Sequence, residues 1–318
     1  MNIKIMAIPL LVSLLIVTGM SCGKDAKSPE AGEHKLKVVA SLYPLYDFVR
    51  NVGKDKVDVE LLLPPGVEPH SFEPNPADIL HLNHADIFVY TNKYMEPWVE
   101  DLIRGMDSGK ILILDSSRGV LFTEERDDGE AGHHSKEKRG HVGMDPHIWL
   151  DLGNAMMMVD TVRDGLIQKD PANQDYYQKN ATQYKTVLQV LDMKFRQGLS
   201  SCKQRVFING GHFAFEYLAR RYGLVYVSAY GFSPDAEPTP GQLVKISRMV
   251  RKQGLKYLFY EELLTPRVAE MLARETGVQL LFLHGAHNIS KEEFARGVSF
   301  VELMEKNLGN LETGLQCR

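Results

Sequence analysis

The chain has 318 residues, 44% hydrophobic and 25% charged, which excludes disorder of the whole and leaves enough length for two lobes that each bury a core. A formal net charge of −4 supplies no basic field of the kind that binds nucleic acid or an anionic membrane surface, so nucleic acid is not an expected partner.

At the N-terminus Lys4 precedes an apolar run from Ile5 to Val17 and then small residues up to Ser21-Cys22. That is the layout of a secretory signal over residues 1–22, and the run is too short for a transmembrane span. Cys22 at the junction predicts lipidation there, with 23–35 as a flexible tether; simple cleavage is the alternative. No second long apolar stretch follows. The body is therefore expected in the periplasm or cell envelope, held to a membrane only through its lipid, and monomeric. Export permits disulfides, and the remaining pair, Cys202 and Cys317, would tie the tail to the start of a second lobe; two free thiols are the alternative.

From Leu36 short β-branched runs alternate with amphipathic stretches. Strands are predicted over Lys37–Ser41, Val57–Leu63, Ile87–Tyr90 and Ile111–Leu114, with helices starting near Leu45, Pro76 and Glu96. The polar stretch 124–143 has no period and reads as a loop; it carries His133, His134 and His141. A helical tract follows over Leu152–Gln168, is broken at Asp170-Pro171, and resumes as a helix to Leu199. A second series of strands is predicted at Arg205–Ile208, Leu224–Ser228, Tyr257–Tyr260 and Val278–Leu283, with helices near His212, Gln242 and Pro266. One closing helix is predicted over Lys291–Leu311, where Phe294, Val298, Val301, Met304, Leu308 and Leu311 form a stripe. The expected fold is α/β: two lobes, 36–170 and 201–318, each a mostly parallel sheet flanked by helices, joined by a long rigid helix over 171–200.

Four histidines stand at the ends of predicted strands or in loops before helices: His70, His147, His212 and His284. Ligands of open parallel sheets bind beyond the carboxyl ends of the strands, so these positions predict one zinc site in the interlobe cleft. Prolines on both sides of His70 stiffen its loop. Asp145 or Asp151 would orient the His147 ring, Asp151 being a helix N-cap otherwise. Gly210-Gly211 before His212 allow close backbone approach. The fourth donor is ambiguous: His284 is favoured as the nearer to its strand end, with His287, Glu261 and Glu262 as alternatives or supports. His81 and His84 read as surface or packing residues, and the thirteen methionines as core filling rather than a copper site. Imidazole donors must be neutral, which predicts zinc affinity falling below about pH 6 to 6.5.

Several segments together resemble the solute-binding receptors of bacterial metal ABC importers, of the zinc and manganese (ZnuA/TroA) type. They are Ser41-Leu-Tyr-Pro-Leu-Tyr-Asp-Phe, Leu63-Pro-Pro-Gly-Val-Glu-Pro-His-Ser-Phe-Glu-Pro, Glu96-Pro-Trp, Asp145-Pro-His-Ile-Trp-Leu-Asp, His212-Phe-Ala-Phe-Glu-Tyr and Glu275-Thr-Gly-Val. The resemblance implies two α/β lobes on a long helix, a zinc ion as cargo, and delivery to a membrane permease with its cytoplasmic ATPase. It carries over His70, His147 and His212 as ligands, and His212 favours zinc over manganese. The family's fourth ligand is usually acidic, and the chain departs from it there. His133, His134 and His141 resemble a shortened form of the family's His-rich loop. Rival expectations are a manganese or iron receptor, an adhesin of the same fold, or a zinc hydrolase with Glu216 or Glu262 as base.

Overall fold

The computed structural model describes residues 35–105, 110–123, 143–231, 238–262 and 266–318. The predicted signal and tether, Cys22, and the loop histidines His133, His134 and His141 lie outside the described residues.

The first sheet contains β1 (Leu36–Ala40), β2 (Val57–Leu61), β3 (Ile87–Tyr90) and β4 (Leu112–Asp115), all parallel, in the order β2-β1-β3-β4. Its helices are α1 (Tyr43–Gly53), α2 (Pro76–Leu82) and α3 (Val99–Gly105). The second sheet repeats the arrangement with β5 (Val206–Asn209), β6 (Val225–Ser228), β7 (Tyr257–Glu261) and β8 (Gln279–Leu283), parallel and ordered β6-β5-β7-β8. Around it lie α6 (Glu216–Arg221), α7 (Pro240–Gln253) and α8 (Arg267–Thr276). In each sheet the order reverses beside the first strand, so the loops after β1 and β3, and after β5 and β7, diverge and leave a crevice at the carboxyl ends.

Side-chain alternation along the strands assigns the two faces to different cores. Val38 and Ala40 of β1, and Ile87 and Val89 of β3, point into a large central core, whereas Val39 and Phe88 point into a smaller outer one under α2 and α3. In the second sheet Phe207 and Phe259 join that same central core, while Ile208 and Leu258 face an outer cluster with Ile246, Val250 and Leu272. The two sheets thus share one continuous apolar interior.

Two helices bind that interior together. The first, α4 (Leu152–Lys169), is capped by Asp151, which accepts from the backbone N–H groups of Gly153 and Asn154. Pro171 ends it, and α5 (Gln174–Gly198) runs 25 residues, about 37 Å. On one side Asn180 donates to the Val52 carbonyl (3.0 Å) and Tyr184 to Asp47 (2.8 Å), both on α1. Further along, Lys194 meets Glu305 at 2.6 Å on the closing helix. Bonds to both halves along one rod, added to a shared core, oppose wide hinge opening.

Two expectations need correction. The single closing helix is two, α9 (Lys291–Arg296) and α10 (Phe300–Gly314). Gly297 at φ 69° ends the first, and Ser299 with Glu302 forms a capping box that starts the second. The helix predicted at His212 begins four residues later, at Glu216, because the His212 backbone is engaged elsewhere: its N–H donates to Glu261 and its carbonyl accepts from the Tyr226 hydroxyl.

Cys202 and Cys317 are bonded, closing a loop with a sequence separation of 115. Removing the bond with Cys202→Ser and Cys317→Ser should lower the stability of the metal-free chain by about 2–4 kcal/mol, read as a lower urea midpoint. An unchanged midpoint would show that the α10 contacts alone hold the tail.

Candidate metal centre

Three imidazoles from three different segments converge between the sheets. His70 sits in the loop between β2 and α2, His147 in the short turn before α4, and His212 after β5. The Nε2 atom of His147 lies 3.2 Å from that of His70 and 3.1 Å from that of His212. The three ligand atoms all lie within 4.8 Å of one another. A tetrahedral zinc ion with Zn–N bonds of about 2.0–2.1 Å sets neighbouring donors roughly 3.3 Å apart, so these spacings are close to the edges of its coordination shell.

The orientation of two rings comes from carboxylates behind them. His147 Nδ1 is 2.8 Å from Asp145 Oδ1, which also accepts the His147 backbone N–H at 3.0 Å. His212 Nδ1 is 2.6 Å from Glu261 Oε2, and the other oxygen accepts the His212 backbone N–H at 2.5 Å. With Nδ1 turned back to its carboxylate, each Nε2 points forward, where the neutral ring offers a lone pair, and neutral donors this close repel unless a cation lies between them. Of the two acids considered for His147, Asp145 holds the ring; Asp151 instead caps α4 and pairs with Arg221 at 2.6 Å.

The local chain makes these approaches possible. A Cβ on Gly211 would stand 1.7 Å from Glu261 Oε1, so only glycine lets β7's last carboxylate reach under the His212 loop. Trp149 is fully buried, donates to the Gly285 carbonyl at 2.7 Å and stands edge-on to His147, forming the floor of the site.

The fourth position is where the structure departs from expectation. His284, although buried, turns away from the cluster: its Nδ1 lies 3.1 Å from Glu262 and its Nε2 3.7 Å from Glu293. The ring facing the three histidines is His287, with centroids 6.1, 6.0 and 5.5 Å from His70, His147 and His212. Its Nδ1 is 3.4 Å from Glu262, the same acid that holds His284. The cause is backbone geometry: β8 ends at Leu283, and Ala286, at φ 58°, turns the next residues back toward the first sheet. Of the two rings, the one nearer the strand end is therefore not the one that faces the cluster. Glu261 and Glu262 lie behind rings rather than on the surface, and His81 is an exposed partner of Glu60.

Burial, reinforced by the neighbouring imidazoles, holds His70 and His147 well below the ordinary histidine value. Burial likewise lowers His287 to about 4. His212 goes the other way: burial alone would lower it, but Glu261 raises it. His284 is raised to about 9, the charge and hydrogen bond of Glu262 outweighing burial. Glu262 falls to about 2 because His284 overcomes the opposing effect of burial.

Sequence reasoning did not see Glu96. Its buried carboxylate accepts the backbone N–H groups of Thr91 and Asn92, both at 3.0 Å, and Asn92 Nδ2 donates to the Pro146 carbonyl beside His147 at 2.9 Å. The Glu96-Pro-Trp motif carried the signal without its meaning.

A pair of parallel sheets over a shared core, with buried imidazoles converging between them, defines a two-lobed metal-binding protein. The family described as ZnuA, zinc-uptake complex component A, periplasmic, matches residues 38–314, and the chain belongs to it. It is 36% identical over 297 residues to the high-affinity zinc uptake system protein ZnuA of Bacillus subtilis, covering 93% of each. The zinc-binding lipoprotein AdcA of Streptococcus pneumoniae is 34% identical over 95% of this chain, which spans only 60% of that relative. The solved Zn(II)-bound ZnuA-like domain of the same AdcA superposes with a TM-score of 0.74 at 34% identity, covering 89% of this chain and 99% of that one.

The unequal histidines make two predictions. Zinc requires neutral donors, and of the four rings that face one another, His70, His147, His212 and His287, His212 is the one shifted above 6.5. Zinc binding near pH 7 should therefore release a proton from His212, with affinity falling as pH drops through its raised value; the other three rings stay neutral to below 6.5. Calorimetry in two buffers of different ionisation enthalpy reads this release. Glu261→Gln should suppress it and weaken zinc by roughly 10–100-fold, whereas undiminished release would exclude Glu261 as its origin.

The Glu262–His284 pair gives a stability profile for the metal-free chain. The depressed carboxylate contributes fully above 4.5 and loses its contribution as pH falls toward 2. The raised imidazole contributes fully below 6.5 and loses its share as pH rises through 9. The melting difference between wild type and His284→Asn should thus be greatest from pH 4.5 to 6.5, and a difference flat to pH 10 would refute the pairing.

Proposed function

We propose that this protein is the zinc-binding receptor of an ABC import system: it captures Zn²⁺ outside the cytoplasmic membrane and passes it to a permease coupled to an ATPase. The observation that carries the reading is the Nε2 convergence of His70, His147 and His212, with Asp145 and Glu261 fixing two of the rings. Imidazole suits zinc, whereas manganese favours oxygen donors. Family membership and the zinc named for the B. subtilis and S. pneumoniae relatives support the same cargo.

We assign the fourth donor to His287, the remaining ring that faces the cluster, in place of His284. Four neutral imidazoles close a tetrahedral shell and leave no open position for a reacting water. That suits a carrier rather than a hydrolase. Glu262, once a candidate base, is held near 2 by His284 and is a poor proton acceptor at neutral pH. Among the described residues no helix is long and apolar enough to cross a membrane. The predicted lipid on Cys22 would be the means of attachment.

Competition of the metal-stripped protein against a chelator of known zinc affinity tests the assignment. His212→Ala should weaken zinc by more than 100-fold and His287→Ala by at least about tenfold, with His284→Ala within a fewfold of wild type and manganese held far more weakly than zinc. A larger loss at His284 than at His287 would return the fourth ligand to His284. Absence of a tight zinc site in the wild type would end the zinc reading.

A further inference from the structure

We infer that Asn288 is a latch that docks the His70 loop against the second lobe before zinc arrives, and so sets zinc affinity without touching the ion. The inference rests on the zinc-receptor reading above.

His70 needs such a device more than its neighbours do. Unlike His147 and His212, its ring has no carboxylate behind it among the described residues, so its position depends on the loop that carries it. That loop opens with a tight turn from Pro64 to Val67, whose N–H donates to the Pro64 carbonyl at 3.1 Å. Proline at the second position and Gly66 at φ +86° at the third are the pattern of a type II turn. Directly after the turn, Glu68 accepts the His70 backbone N–H at 2.8 Å. The turn therefore directs the ring.

The turn is gripped from the other lobe. Asn288, fully buried, uses both amide hydrogens on it: Nδ2 donates to the Pro64 carbonyl at 2.9 Å and to the Val67 carbonyl at 2.7 Å. Its Oδ1 accepts the Ile289 N–H at 2.8 Å, which fixes the amide's orientation. Gly66 N–H in turn donates to the Ile289 carbonyl at 2.8 Å. A primary amide can donate twice in this fork; a carboxylate of the same shape would face two carbonyls with no donor. Because Asn288 follows His287 directly, one short segment supplies a second-lobe ring and holds the first-lobe ring in register with it.

Preorganisation gives the latch a measurable effect. Apparent affinity scales with the fraction of zinc-free molecules whose loop is already docked. Losing both donors would lower that fraction to about a tenth, a roughly tenfold weaker apparent affinity. The effect acts through His70 and should vanish when His70 is gone.

The test is a double-mutant cycle on zinc affinity with wild type, Asn288→Ala, His70→Ala and the double variant, by chelator competition on the full chain. The latch requires Asn288→Ala to weaken zinc roughly tenfold, and the double variant to match His70→Ala within about twofold. No loss from Asn288→Ala, or an equal further loss in the His70→Ala background, overturns it. A wild type without tight zinc binding strikes the receptor reading instead, so the two failures are distinct. Amide hydrogen exchange of the zinc-free wild type supplies a readout independent of any variant's folding. Gly66 protected as strongly as the β1 amides supports a latch closed in advance, and Gly66 exchanging freely until zinc is added overturns it.

Discussion

The site depends on one interaction: a carboxylate taking the Nδ1–H of a buried imidazole. Asp145 does this for His147, and Glu261 stands 2.6 Å from Nδ1 of His212, so that each Nε2 turns inward at a spacing a zinc ion would bridge. Without these acids the rings could rotate or take the other tautomer, and neither state would offer a forward donor. The cost is burial of charge. Each acid offsets it locally by accepting the backbone N–H of the histidine it orients, which ties side-chain direction to chain path.

The fold supplies what this interaction needs. Both sheets reverse strand order beside their first strand, and Glu261 at the end of β7 reaches the loop after β5 across that crevice, beneath Gly211. In the first sheet Glu96 collects the backbone N–H groups after β3 and, through Asn92, supports the Pro146 carbonyl. The shared core and α5 hold the sheets as one body. Small shifts of loops, rather than wide lobe opening, are then the natural way to admit and release an ion. The His70 loop, whose ring has no carboxylate behind it among the described residues, relies instead on the grip of Asn288.

Much was legible from local pattern. The eight strands fall within a few residues of the β-branched runs that predicted them, because a strand buried on both faces leaves a nearly continuous apolar signature. The break at Pro171 was readable, and the two closing helices could have been, since Ser290 with Glu293 and Ser299 with Glu302 each spell a capping box. The apolar stripe running through both obscured the boundary. Asp145, two residues from its histidine, was foreseeable as a partner because the contact is local.

What the sequence by itself determined is therefore the periodic and the local: alternating strands and helices, caps and turns, and a set of histidines at strand ends and loops. Tertiary structure decided which of them meet. His284 and His287 are three residues apart on one loop and chemically identical, and only the turn at Ala286 and the competing pull of Glu262 and Glu293 send one ring outward and leave the other facing the cluster. Glu261 lies 49 residues from His212, and Asn288 more than 220 from the turn it holds. Pairings across such separations are set by how two sheets pack on a common core, and no spacing within a single chain encodes them.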